Sequence, residues 1–216
     1  MANDESGVVR IALFYDGTFF AKISNYYKFQ HSRKSHLTFT GFHEYVRQKV
    51  AEKEQVDVAF CQIVEAHFFR GRFSLTAAKT ANQLESDRFI DQLLMYAGIV
   101  SHYYPMNENV TPPEEKGIDV WLALEAYDLA VHKRFDVLAL IAGDQDFVPL
   151  IRKVNGIGTR VMLLGADVQW TDPSGKHYIN TSQRLIDEAS YPVILNQEID
   201  SRTSKGDRII DGLFAK

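Results

Sequence analysis

The chain has 216 residues, 45% of them hydrophobic and 24% charged, with a formal net charge of −4. That is ordinary globular composition and enough length for one domain with a full-sized core. No apolar run nears the roughly 18 residues that span a bilayer, the acidic balance speaks against an architectural role on duplex phosphates, and the single cysteine, Cys61, excludes an internal disulfide.

The start, Met1 to Gly7, carries Asp4 and Glu5 and no basic residue, unlike a secretory leader, so a cytoplasmic protein is expected. Val8 to Tyr15 is apolar and β-branched and ends in Asp16-Gly17, which predicts a buried strand and its turn. Phe19 to Phe29 is aromatic-rich and reads as helix. Thr40-Gly41 opens a second helix, with Phe42, Tyr45, Val46 and Val50 at helical spacing. A second strand is expected over Val56 to Ala66, and a helix over Ser86 to Ala97 with Phe89, Ile90, Leu93 and Leu94 on one face. Ile99 to Tyr104 is the third strand. After a polar loop with Pro112-Pro113 come a helix over Gly117 to Lys133, a fourth strand over Phe135 to Ala142 and a helix over Phe147 to Val154. A fifth strand runs over Gly158 to Leu164, and Thr181-Ser182 caps a last helix ending at Ala189. Strands alternating with helices predict one α/β domain over residues 1–195, its parallel sheet covered on both faces. Residues 196–216 are expected to form a polar tail. Within it, Ile209-Ile210 and Leu213-Phe214 are open to two readings: packing on the domain, or docking a partner or a second copy in a homodimer.

Ligands of open parallel sheets sit beyond the carboxyl ends of the strands, where strand order reverses. Asp16 follows the first strand, and Asp144 and Asp146 follow the fourth. If those strands are neighbours, the three converge. Asp119, in the first turn of the helix leading into strand four, adds a fourth, although a carboxylate there also suits the positive helix end. Two carboxylates about 5 Å apart repel by about 3 kcal/mol at an effective dielectric near 20. Four such groups, ionised together, could cost on the order of 15–20 kcal/mol before screening. Either some are protonated or a cation is bound. Oxygen donors favour Mg²⁺, Mn²⁺ or Ca²⁺ over zinc, and no Cys/His spacing competes.

Other candidates carry two readings each. Lys116 is a phosphate ligand or a solvated loop lysine. Arg70 and Arg72, in Phe68-Phe69-Arg70-Gly71-Arg72-Phe73, interleave cations with aromatics, as in a loop that binds single strands or one that packs on itself. Arg152 and Lys153 read as a solvated helix face, His67 and His102 as packed or surface histidines, and Trp121, Leu122 and Leu124 as core. Phe14-Tyr15-Asp16-Gly17-Thr18 resembles the strand-one signature of haloacid-dehalogenase-like phosphatases. That chemistry is rejected, because phenylalanine stands where the nucleophilic aspartate would be.

Four segments together, Ile11 to Gly17, Phe69 to Phe73, Glu115 to Trp121 and Leu140 to Leu150, resemble the NYN family, in its LabA-like or DUF88 branch of the PIN-like nucleases. The likeness covers Val8 to Tyr191. It implies a Rossmann-like three-layer fold with sheet order 3-2-1-4-5, a Mg²⁺/Mn²⁺ site at Asp16, Asp119, Asp144 and Asp146, and RNA as the usual substrate. Thr18 stands where relatives often carry asparagine, and its hydroxyl can still bond a phosphate. The expected function is metal-dependent hydrolysis of phosphodiesters in single-stranded RNA, leaving a 5′-phosphate. Thr18, Lys116, Arg70 and Arg72 would hold the strand. The competing expectation is a catalytically weak module that binds nucleic acid or a protein.

Overall fold

The structure, a computed structural model, describes residues 7–202 and 207–215. Its strands are β1 (Val9–Asp16), β2 (Cys61–Arg72), β3 (Val100–Pro105), β4 (Val137–Ile141), β5 (Arg160–Gly165), β6 (Val168–Asp172), β7 (Gly175–Ile179) and β8 (Tyr191–Ile194). The helices are α1 (Gly17–Asn25), α2 (Phe39–Glu54), α3 (Leu75–Thr80), α4 (Leu84–Tyr96), α5 (Ile118–Lys133), α6 (Val148–Gly156), α7 (Gln183–Glu188), α8 (Leu195–Ser201) and α9 (Arg208–Gly212).

Ile11 to Tyr15 of β1 are wholly shielded from solvent. A strand covered on both faces needs apolar residues at every position, which is why this one shows no polar alternation. Ile11, Leu13 and Tyr15 face one core, and Ala12 and Phe14 the other, as the two-residue period of a strand dictates. The parallel sheet runs β3-β2-β1-β4-β5-β8. The expected order 3-2-1-4-5 is thus present, with a sixth strand added. Residues of α1, α2, α8 and α9, among them Phe20, Phe42, Leu195 and Ile210, fill one core. Leu122 and Ala126 of α5, Ile151 of α6 and Leu185 of α7 fill the other. The architecture is a three-layer α/β fold. Among the described residues no helix is long and apolar enough to cross a membrane.

The structure corrects several elements. β2 begins at Cys61, after a 3₁₀ turn at Val58–Phe60, and continues to Arg72 by pairing with β3, from His67↔Val100 to Arg72↔Pro105. Arg70 and Arg72 therefore lie on a strand and not in a loop. α2 starts at Phe39, one residue before Thr40, because the Thr38 hydroxyl caps it by accepting from the Gly41 N–H. Leu124 is not core but solvent-facing, since α5 packs through Ile118, Leu122, Ala126 and Ala130, four residues apart. Phe89 of α4 is likewise exposed, and only Leu94 of that helix is fully buried. α3, the antiparallel β6–β7 hairpin, β8 and α8 were not expected. In the segment after Asn196, Ile210, Leu213 and Phe214 are buried in the core shared with α2, and Leu37 pairs with Phe214 as an isolated bridge.

Candidate functional site

Asp16 both ends β1 and caps α1, its Oδ1 accepting from the Phe19 N–H at 2.9 Å. Asp144 does the same after β4, accepting from the Asp146 N–H at 3.0 Å at the head of the 3₁₀ turn Gln145–Phe147. Because β1 and β4 are adjacent and parallel, with Tyr15 opposite Ile141, both strand-to-helix junctions fall on the same edge of the sheet. The capping bonds fix the backbone at each junction and leave the second oxygen of each carboxylate uncommitted. Gly143, just before Asp144, is required by close approach: a Cβ there would lie 2.5 Å from the Phe19 ring and 2.7 Å from the Asn180 carbonyl oxygen. Asp119 is reached differently. Gly117 caps α5 with a φ of +83°, a left-handed conformation that favours glycine, and Asp119 then sits in the helix's first turn.

Electrostatics couples Asp119 to the other acids. Burial pushes the Asp16 carboxyl up to about 6. The Phe19 N–H pulls against this, Asp119 and Glu115 push the same way, and Lys22 opposes them. Asp119 is also raised, first by burial and then by Asp144, Glu115 and Asp146. Among the described residues, none of the four aspartates has an ion-pair partner. Asp119 therefore feels Asp144, Asp146 and Glu115, and Asp16 feels Asp119 and the same fifth acid, Glu115. Nothing local in the sequence marks Glu115, the first residue of the Glu115-to-Trp121 segment, as part of the site. Glu115 Oε2 accepts from the Thr18 hydroxyl at 2.7 Å and Oε1 from the Gly71 N–H at 2.6 Å, so it links α1 to the end of β2.

The remaining candidates fall into two groups. Thr18 is at the site, held by Glu115. Lys116 is exposed, 3.5 Å from Glu114, and is not paired to the aspartates. Arg72 is committed elsewhere: it makes two bonds to Asp91, at 2.6 and 3.2 Å, and stacks over Tyr103 at 3.5 Å. Arg70, two residues earlier on β2, is half-buried and has no ion pair among the described residues. His67 and His102 pack as a pair, with ring nitrogens 2.9 Å apart and the rings stacked on Phe14 and Phe69. Beside Asp146 a cleft of about 510 Å³ opens, with Arg152 and Arg184 on its walls. Arg152 is paired with Glu188 at 2.5 Å.

The donors fit a hard divalent ion in kind, being oxygen-only, unpaired and mutually repelling. They do not form a closed cage: among the described residues no group of three or more His, Cys, Asp or Glu side chains is gathered to hold one ion. An ion of the Mg²⁺ type keeps several waters and takes only one or two carboxylates, so it needs no such cage.

The family model of the NYN domain matches residues 10–196, from the second residue of β1 to the start of α8. The chain belongs to the NYN domain family. NYN domains are part of the PIN-like nuclease superfamily, which gives this one a nuclease-type, nucleic-acid-related fold. The NYN chain is similar to the uncharacterized protein MJ0482 of Methanocaldococcus jannaschii, 30% identical over 87 residues, a match covering 40% of this chain and 31% of that protein. It thus spans under half the length of that relative. The crystal structure of VPA0982, a protein of unknown function from Vibrio parahaemolyticus, shares the fold with a TM-score of 0.56 and 20% identity, over 88% of this chain and 94% of that one.

Proposed function

We propose that this NYN domain is a metal-dependent phosphodiesterase acting on single-stranded RNA, of the LabA-like or DUF88 branch. The observation that carries the reading is the set of unpaired carboxylates at the carboxyl edge of a PIN-like sheet, with Asp16 and Asp119 raised first by burial and then by their acidic neighbours. Asp16 and Asp144, each with one oxygen held by a capping N–H, would hold the ion, and Asp119 and Asp146 would complete the acidic rim. Bound Mg²⁺ or Mn²⁺ would supply Lewis-acid stabilisation of phosphate oxygens and an acidified water. Glu115 orients Thr18, whose hydroxyl is spent on Glu115 and keeps only acceptor capacity, at the mouth of the site. Arg70 and Lys116 would neutralise phosphates on the β2 side of the rim. Hydrolysis would leave a 5′-phosphate.

The test is incubation of single-stranded RNA with Mn²⁺, comparing the native chain with Asp144→Asn. Loss of cleavage in the variant is expected, and equal cleavage by both would refute the assignment. A second reading, a binding module without turnover, is favoured because among the described residues no three acids are gathered to hold one ion. Stabilisation by millimolar Mn²⁺ without cleavage of RNA would establish it.

A further inference from the structure

The β6–β7 hairpin supplies none of the site's carboxylates, yet its base is packed against the turn that carries Asp144. Its register pairs Val168 with Ile179, Gln169 with Tyr178, Trp170 with His177 and Thr171 with Lys176. Alternation sends Val168, Trp170, His177 and Ile179 to one face. There Ile179 is buried, Trp170 stacks on His177 with centroids 5.3 Å apart, and Trp170 meets Tyr26 at 5.5 Å. The opposite face carries Gln169, Thr171, Lys176 and Tyr178, with Asp167 and Asn180 continuing it at the base.

That base is stitched to the sheet. The Ala166 N–H donates to the Thr181 hydroxyl at 2.9 Å, which donates back to the Ala166 carbonyl at 3.1 Å. The Asn196 amide bonds both the N–H and the carbonyl of Asp167, each at 2.8 Å. The Ser182 N–H donates to the Gly143 carbonyl at 2.9 Å, and the Asn180 carbonyl approaches Gly143 so closely that no side chain fits between them. The backbone at the base of the hairpin is therefore held against Gly143, one residue from Asp144.

Asp167, Gln169, Tyr178 and Asn180 line a cleft of about 550 Å³ on that face, within the roughly 300–1,000 Å³ of small-ligand clefts. Tyr178 is 71% exposed. The side chains of Gln169, Asn180, Lys176 and Tyr178 make no hydrogen bond or ion pair among the described residues. An exposed aromatic ring flanked by two uncommitted amides and a lysine is the chemistry that holds a splayed base. The ring stacks on its face, the amides bond its edge, and the cation meets the next phosphate.

We infer that the outer face of the β6–β7 hairpin is a nucleobase subsite, stacking on Tyr178 the base of a nucleotide next to the scissile phosphate, with Gln169 and Asn180 reading its edge. The inference rests on the nuclease reading for its neighbour at the carboxylates, but it is tested by binding alone. The measurement is the fluorescence of a short single-stranded RNA carrying 2-aminopurine, titrated with protein in EDTA and again in Mn²⁺, with binding of an otherwise identical abasic oligonucleotide read from its competition with that RNA. Quenching by the native chain and by Tyr178→Phe is expected, with binding to Tyr178→Ala weaker by roughly ten-fold or more. The abasic strand should bind native and Tyr178→Ala alike. Gln169→Ala, which leaves the ring in place, should weaken one base relative to the others. Circular dichroism checks that the exposed substitutions leave the fold intact. Native-like binding by Tyr178→Ala overturns the subsite even if RNA is cleaved, and so does a native chain that binds neither oligonucleotide. Quenching without any cleavage in Mn²⁺ supports the subsite and removes the nuclease reading instead.

Discussion

Glu115 accepts the hydroxyl proton of Thr18 at 2.7 Å, across 97 residues of sequence. With its other oxygen on the Gly71 N–H, this carboxylate closes the gap between the end of β2 and the start of α1. Removing it leaves a backbone donor and a hydroxyl without a partner, which costs about 1–3 kcal/mol. Glu115→Ala is therefore expected to melt lower by roughly 2–4 °C for each kcal/mol lost. The same change removes one of the charges that raise Asp16. Unchanged melting temperature in Glu115→Ala would show that the bridge does not hold in solution.

Asp16 makes the metal-free protein sensitive to pH. Its folded carboxyl lies at about 6, above the roughly 3.9 of an unfolded aspartate. The folded state thus binds more protons than the unfolded one between those values, and stability falls as pH rises through that window. The ceiling is about 3 kcal/mol if the whole shift acts. Asparagine keeps the cap on Phe19 but carries no charge. Asp16→Asn should match the native chain near pH 4 in EDTA and melt several degrees higher at pH 8. Added Mn²⁺ should raise the native melting temperature and not the variant's. An equal gap at both pH values would mean that charge is not the cause.

Arg70 and Arg72, alike in sequence, should separate in their effects. Arg72 is held by Asp91 and Tyr103, so Arg72→Ala is expected to lose about 1–2 kcal/mol of stability. Arg70 has no ion pair to lose among the described residues. Arg70→Ala should leave melting unchanged and weaken RNA binding, with a shallower salt dependence. Thermal melts and binding titrations at two salt concentrations decide it, and a destabilised Arg70→Ala would reverse the assignment.

What the sequence could reveal follows from how local each signal is. β1 and β4 were readable because burial on both faces makes them continuous apolar runs. Their closing aspartates were readable because strand ends in a parallel sheet share an edge. Glu115 was not, since both its partners are distant in sequence and neither advertises a need for a carboxylate. The second half of β2 hid behind Arg70-Gly71-Arg72, polar and glycine-containing, which becomes strand only because β3 pairs with it. α5 is apolar on its outer side as well, at Val120 and Leu124, so periodicity could not choose its buried face. The hairpin did leave a trace, the turn residues Pro173-Ser174-Gly175 between Val168-Gln169-Trp170 and His177-Tyr178-Ile179.

The last segment offers the sharpest stability test, because its polar composition suggests a loose end while its few apolar residues lie in the core. Phe214 meets Tyr27 edge-on at 5.2 Å, lies under Arg33 at 4.8 Å and pairs with Leu37. The Leu213 carbonyl accepts at 2.8 Å from the N–H of Thr38, the residue that caps α2. Truncating a buried phenylalanine costs about 3–5 kcal/mol. Phe214→Ala is expected to melt lower by roughly 6–12 °C at the low end of that range. Cleavage per folded molecule should be unaffected, since the carboxylates lie on other elements. A variant as stable as the native chain would mean that α9 leaves the core in solution and that the space beside Tyr27 and Leu37 is filled by something else.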